Sequence, residues 1–158
     1  MIQQGLFQQY LDPVKLKAGK DKCPVCGRVC RAYCKSLDDR LIKQAWDILI
    51  FLHERKCKTF NPREVWNDDY KKILDMQKLS YWDIIERTKK SGYWTLTNRG
   101  FRFLTKGIML PRELWIFNKE IIETSDVMIS VDQVDERWQV DRSDYIYDFL
   151  PLNYNIKT

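Results

Sequence analysis

The chain has 158 residues, 44% of them hydrophobic, with six Trp, eight Tyr and seven Phe and a formal net charge of +5. That stock of large apolar side chains excludes disorder over most of the length, and the chain is long enough for one domain, or one with a small appendage. No stretch reaches the roughly 18 apolar residues of a membrane span, and the opening MIQQGLFQQYLDPVKLKAGK lacks the basic-then-apolar order of a secretory signal.

The expectation is an intracellular, cytoplasmic protein without a membrane segment, whose five cysteines stay reduced. Charge is unevenly spread. Residues 1–60 carry 12 Lys and Arg against 6 Asp and Glu, residues 61–120 carry 12 against 8, and residues 121–158 carry 3 against 8. A basic body with an acidic tail suits a polyanionic partner, the tail limiting indiscriminate binding.

In chain order, residues 1–22 form a polar lead-in with a helical turn expected around Leu6–Leu11. After the cysteine-rich segment, Ser36 or Asp38 can cap a helix whose apolar positions Leu41, Ala45, Leu49 and Leu52, flanked by Ile42, Trp46 and Ile50, demand burial. Lys56–Lys58 should end it, cations suiting the negative end of the helix dipole. Asn61-Pro62 starts a short helix reaching Trp66, with Asn as cap and Pro in the first turn. Residues 69–90 predict one or two more helices, because Met76, Leu79, Trp82 and Ile85 recur three apart. Ser91-Gly92 breaks that run, YWTLT alternates as a strand, and Thr97 can cap a helix carrying Phe101 and Leu104. IMLPRELWIFNKEI is strand material, with Pro111 at an edge or turn. Val127, Ile129 and Val131, at period two, predict a further small sheet.

CPVCGRVCRAYC, residues 23–34, holds four of the five cysteines. Two cysteines two residues apart, with Pro and Gly shaping the turn, can aim both sulfurs at one ion while the turn's amides support the thiolates. Zinc is the expected metal, and it takes four ligands, so a second pair is needed. Cys30 and Cys34 supply it if the segment is helical, giving the set Cys23, Cys26, Cys30 and Cys34. If the segment is a strand, those two lie about 13 Å apart, and His53 with Cys57 becomes the alternative pair. Four protein ligands leave no open position for a catalytic water, so the zinc would be structural.

The stretch KLSYWDIIERTKKSGYWTLTNRGFRFL, residues 78–104, resembles the end of a winged helix-turn-helix domain, where a recognition helix runs into a wing and LT-x-x-G opens the next element. Joined to CPVCG, it resembles uncharacterised small phage and mobile-element proteins that pair a zinc knuckle with a winged-helix core, over residues 23–110. The resemblance implies an α+β fold. Residues 1–36 would hold the lead-in and knuckle, 37–120 the winged-helix-like core, and 121–158 an acidic β-rich extension. It also implies a recognition helix over residues 77–90, with Lys78, Arg87, Lys89 and Lys90 facing nucleic acid, and Arg99 and Arg102 reaching the phosphate backbone beyond the strand.

With one histidine and no nucleophile, nucleotide-loop or metalloprotease motif, no catalytic residue is expected. The carboxylates of VDQVDERWQVDRSDYIYD read as a solvated acidic edge. The function expected is zinc-stabilised binding of nucleic acid, most simply duplex DNA, in a regulatory role. The alternative is a protein-interaction module, for example a phage product that binds and modulates a host protein.

Overall fold

A computed structural model of the chain describes residues 13–20 and 22–133, the side chains of Pro13 and Lys15 excepted. The fold mixes α and β. In chain order the elements are α1 (Pro13–Ala18), β1 (Tyr33–Ser36), α2 (Asp39–Arg55), β2 (Thr59–Phe60), α3 (Pro62–Trp66), α4 (Tyr70–Met76), a 3-10 helix that continues it (Gln77–Trp82), β3 (Ile85–Arg87), β4 (Trp94–Leu96), α5 (Asn98–Lys106), β5 (Leu110–Pro111), β6 (Glu113–Phe117), β7 (Glu120–Thr124), β8 (Met128–Ile129) and a final 3-10 turn (Val131–Gln133). No helix among the described residues is long and apolar enough to cross a membrane.

The chain packs as two units. Where the sequence reading divides it at 36/37 and 120/121, residues 111–127 pack with the described part of 1–36 as one unit, and residues 37–110 with the described part of 128–158 as the other.

The helical unit is organised by α2, which packs against α3, α4, the 3-10 helix, β2 and α5. Its apolar face buries Leu41, Ile42, Ala45, Trp46, Ile48, Leu49 and Leu52. Asp38 caps the start, its carboxylate accepting the Leu41 amide at 2.9 Å. Lys56 closes the end in the left-handed region, φ 51°, donating its amide to the His53 carbonyl. Asp38→Ala should therefore cost about 1 kcal/mol in urea unfolding, and an unchanged midpoint would show that the cap contributes nothing.

Asn61 caps α3, accepting the Arg63 amide at 3.0 Å, and Pro62 occupies the first turn. The expected helix over 77–90 does not extend that far. Helical structure ends at Trp82, and Asp83 turns left-handed at φ 57°. The β-branched pair Ile84-Ile85, both buried, then leads into β3, where Ile85 is buried and Glu86 and Arg87 are exposed. The three-residue step from Trp82 to Ile85 joins a helix residue to a strand residue. β4 lies between β2 and β3, both antiparallel to it, with Trp94 opposite Phe60 on one side and Arg87 on the other. Thr97 caps α5 through its hydroxyl and the Gly100 amide, 2.9 Å, and α5 buries Phe101, Phe103 and Leu104. Near the tail, β8 pairs with β5, and Ile129 and Val131 are buried whereas Val127 is exposed.

The cysteine-bearing unit contains α1, the cysteine turn and an antiparallel sheet in the order β1-β6-β7. Its small core is Leu16, Cys30 and Ala32, with Cys23, Trp115, Phe117 and Ile122 against it. The Ala32 amide donates to the Leu16 carbonyl at 2.8 Å, tying α1 to the segment that enters β1. The turn expected at Leu6–Leu11 lies outside the described residues; α1, seven residues on, falls within what the sequence reading treats as lead-in.

Candidate nucleic-acid interface and cysteine turn

CPVCG folds as a tight turn. Lys22 bridges to Val29, the Gly27 amide donates to the Cys23 carbonyl at 2.9 Å, and the Cys23 amide donates to the Arg28 carbonyl at 2.7 Å. Gly27 sits at φ +73°, a conformation side chains disfavour. The turn wraps the Cys23 sulfur, which accepts from the amides of Cys26 and Val25 and from the thiols of Cys26 and Cys30, and these bonds lower its pKa below the ordinary thiol value. Three of the four cysteines named from sequence thus approach one another.

Cys34 does not join them. It lies on β1, and its thiol donates to the Glu113 carboxylate at 3.4 Å, while burial, followed by the Glu113 carboxylate, raises its pKa. Strand geometry carries it away from Cys30, as extended spacing requires. His53 and Cys57 sit at the end of α2 and just beyond its cap, in the helical unit. Burial raises the pKa of Cys57. Among the described residues no group of three or more Cys, His, Asp or Glu is arranged to hold a metal ion. As a test of fit for zinc, the donor set is incomplete: Cys26 and Cys30 each hydrogen-bond the Cys23 sulfur and two amides support it, but the described residues do not assemble a ligand set.

The hairpin joining β3 to β4 brings together the largest group of cations named from sequence. Arg87 ends β3, and Lys89 and Lys90, which the sequence reading places at the end of a helix, lie in the turn 88–93. Thr88 fixes the turn: its amide donates to the Tyr93 carbonyl at 3.0 Å, and its hydroxyl accepts the Lys90 amide at 3.2 Å. Gly92 supplies φ +80°. Two cations are held on rings, Arg87 4.9 Å from the centre of Trp94 and Lys90 4.2 Å from that of Tyr93. Beside the hairpin a cleft of about 350 Å³ is walled by Asn61, Pro62 and Arg63 of the α3 start, Ile73 and Gln77, and residues 87–94. Among the described residues that line it, four are cationic and none is a carboxylate.

The remaining named cations stand elsewhere. Lys78, on the 3-10 helix, pairs with Asp75 at 3.0 Å. Arg99 and Arg102 belong to α5, not to a wing, and Arg99 lies 3.9 Å from Asp83. Arg63 escapes the sequence reading because it is isolated in NPREVW; its signal is position, one residue past a helix-starting Pro. On α4, Tyr70 is 72% exposed and Leu74 47%, one turn apart.

No family model, curated protein or solved structure matches the chain.

Proposed function

We propose that the helical unit is a winged-helix module that binds nucleic acid, most simply duplex DNA, in a regulatory role. The observation that carries this reading is the cleft lined by Arg63, Arg87, Lys89 and Lys90, with no carboxylate among its described lining residues. Element order supports it: a helix, a strand, two short helices, and a hairpin whose second strand lies central in a three-stranded antiparallel sheet. In that assignment α4 is the helix offered to the groove, with Lys71 and Lys72 exposed near its start, and the 88–93 turn is the wing. Cations at the wing contact phosphate, which positions the module and makes affinity salt-sensitive. Residues 77–90 are no longer the recognition helix, and Lys78 and Arg99 become secondary because each already faces a carboxylate.

The test is amide chemical-shift mapping on isotope-labelled protein with a generic duplex. Shifts concentrated at 70–74 and 87–93 are expected. Shifts confined to α5, or none at saturating duplex, would sink the assignment.

In the cysteine-bearing unit we propose that Cys23, Cys26 and Cys30, completed by a fourth protein ligand, hold a structural zinc that supplies folding free energy. Zinc-loaded protein should lose its metal on Cys23→Ser, Cys26→Ser or Cys30→Ser and keep it on Cys57→Ser. The Cys34→Ser variant reports whether a fourth sulfur leaves Glu113 to join the set. Full zinc content in Cys23→Ser would remove the metal from this reading.

A protein-docking role has one specific observation in its favour, the exposed pair Tyr70 and Leu74. A partner bound there would shift 70–74 without the 87–93 turn.

A further inference from the structure

The cleft beside the hairpin is small and lined by cations, so besides facing a duplex backbone it has room for one phosphate group with a nucleoside attached. We propose that it is a phosphomonoester site, taking the terminal 5′-phosphate of a nucleic-acid strand or a free nucleoside 5′-monophosphate. This rests on reading the hairpin face as the one that meets nucleic acid.

Three observations carry it. First, the charge in the cleft is uncompensated among the described residues. Arg87, Lys89 and Lys90 have no ion-pair partner among the described residues, and Arg63 has only a 4.0 Å approach to Asp68 with both side chains exposed. A terminal phosphate carries about 1.5 to 2 negative charges at neutral pH, where a backbone diester carries one, so such a cluster favours the chain end. Second, the cations are pre-positioned. Arg87 rests on Trp94 and Lys90 on Tyr93, and Thr88 holds the turn between them. A guanidinium lying on a ring keeps its edge N–H groups free for a bidentate contact to phosphate oxygens. Third, at about 350 Å³ the cleft falls at the small end of ligand pockets, room enough for one nucleotide. Ile73 and Pro62 add apolar wall, against which a base or sugar can lie.

Binding of the full chain is compared for two duplexes with a short 5′ overhang, identical except that one ends in 5′-phosphate and the other in 5′-hydroxyl. Inorganic phosphate and thymidine 5′-monophosphate serve as competitors, all at fixed salt. The phosphorylated end should bind about tenfold tighter, the effect of one added charge-assisted pair, and Arg87→Gln with Lys90→Gln should erase the difference. Competition by thymidine monophosphate at millimolar concentration would identify free nucleotide as a ligand. An end effect without that competition would restrict the site to strand ends. Equal affinity for the two ends and no competition would overturn the proposal, while salt-sensitive binding of both duplexes would leave the nucleic-acid reading intact. Binding of the monophosphate with no duplex binding would do the reverse.

Discussion

Gly100→Ala is expected to destabilise the helical unit by about 3 kcal/mol, the upper end of ordinary overpacking penalties. In a solvated helix interior the same change would stabilise by about 1 kcal/mol. The sign reverses because α5 packs directly against Ile84, the residue before β3. A Cβ at position 100 would overlap the Ile84 carbonyl oxygen and lie 2.9 Å from both the Cα and the Cγ2 of that residue. Two of those three atoms are backbone, so no rotamer change relieves the clash. Nor can the strand simply withdraw, because the Thr97 hydroxyl, which accepts the Gly100 amide, also lies 3.1 Å from the same Ile84 carbonyl, and the Thr97 amide donates to that carbonyl at 2.9 Å. Urea unfolding and thermal melting measure the loss, about 10 °C in Tm for a chain of this size. A variant as stable as the parent would mean that α5 and β3 have room between them for a methyl group.

The triple reversal Arg87→Glu, Lys89→Glu, Lys90→Glu is expected to weaken duplex binding at low salt by about a hundredfold or more. Each site exchanges an attraction to phosphate for a repulsion, and the three lie within four residues of one turn. If each makes one phosphate contact, the slope of log affinity against log salt should fall in magnitude by about 2.7. Folding should hardly change. All three side chains are exposed, none is in an ion pair among the described residues, and the two cation–ring interactions contribute only about 0.5–1 kcal/mol each. Circular dichroism and Tm serve as the control. Lys78→Glu and Arg99→Glu should do far less, since each of those cations already stands beside a carboxylate, Asp75 or Asp83, and lies outside the hairpin. Affinity within threefold of the parent in a folded triple variant would separate the hairpin from the interface.

Much of the helical unit is legible in the sequence because local chemistry and tertiary packing agree there. Asp38, Asn61 and Thr97 cap the helices that follow them, and Leu41, Ala45, Leu49 and Leu52 form a buried stripe. LT-x-x-G has a local cause: Leu96 ends β4 buried, Thr97 caps, and Gly100 leaves room for Ile84. The failure at 77–90 is equally local. Met76, Leu79, Trp82 and Ile85 satisfy a helical period, yet Asp83 breaks the helix by turning left-handed, a conformation Asp tolerates without announcing it. Misplacing that end hides the hairpin, so Lys89 and Lys90 fall to the wrong element, and Arg63, across the cleft, has no visible counterpart. The cysteines show a different limit. Convergence of Cys23, Cys26 and Cys30 follows from the turn, whereas Cys34 depends on a strand pairing with β6 that lies some eighty positions along the chain. The same pairing bears on any truncation: Glu120–Thr124 is an edge strand of that sheet, so removing residues from 121 onward would take that strand with the acidic tail.

Equilibrium binding of the zinc-loaded chain to a generic duplex, followed by fluorescence anisotropy across a salt series, tests the central claim most directly. The expected result is a linear fall of log affinity with log salt at a slope of about −3 or steeper, one cation of the hairpin and cleft answering to each released counterion. Negligible binding at the lowest salt, or affinity indifferent to salt, would contradict it and leave the basic hairpin as solvated surface.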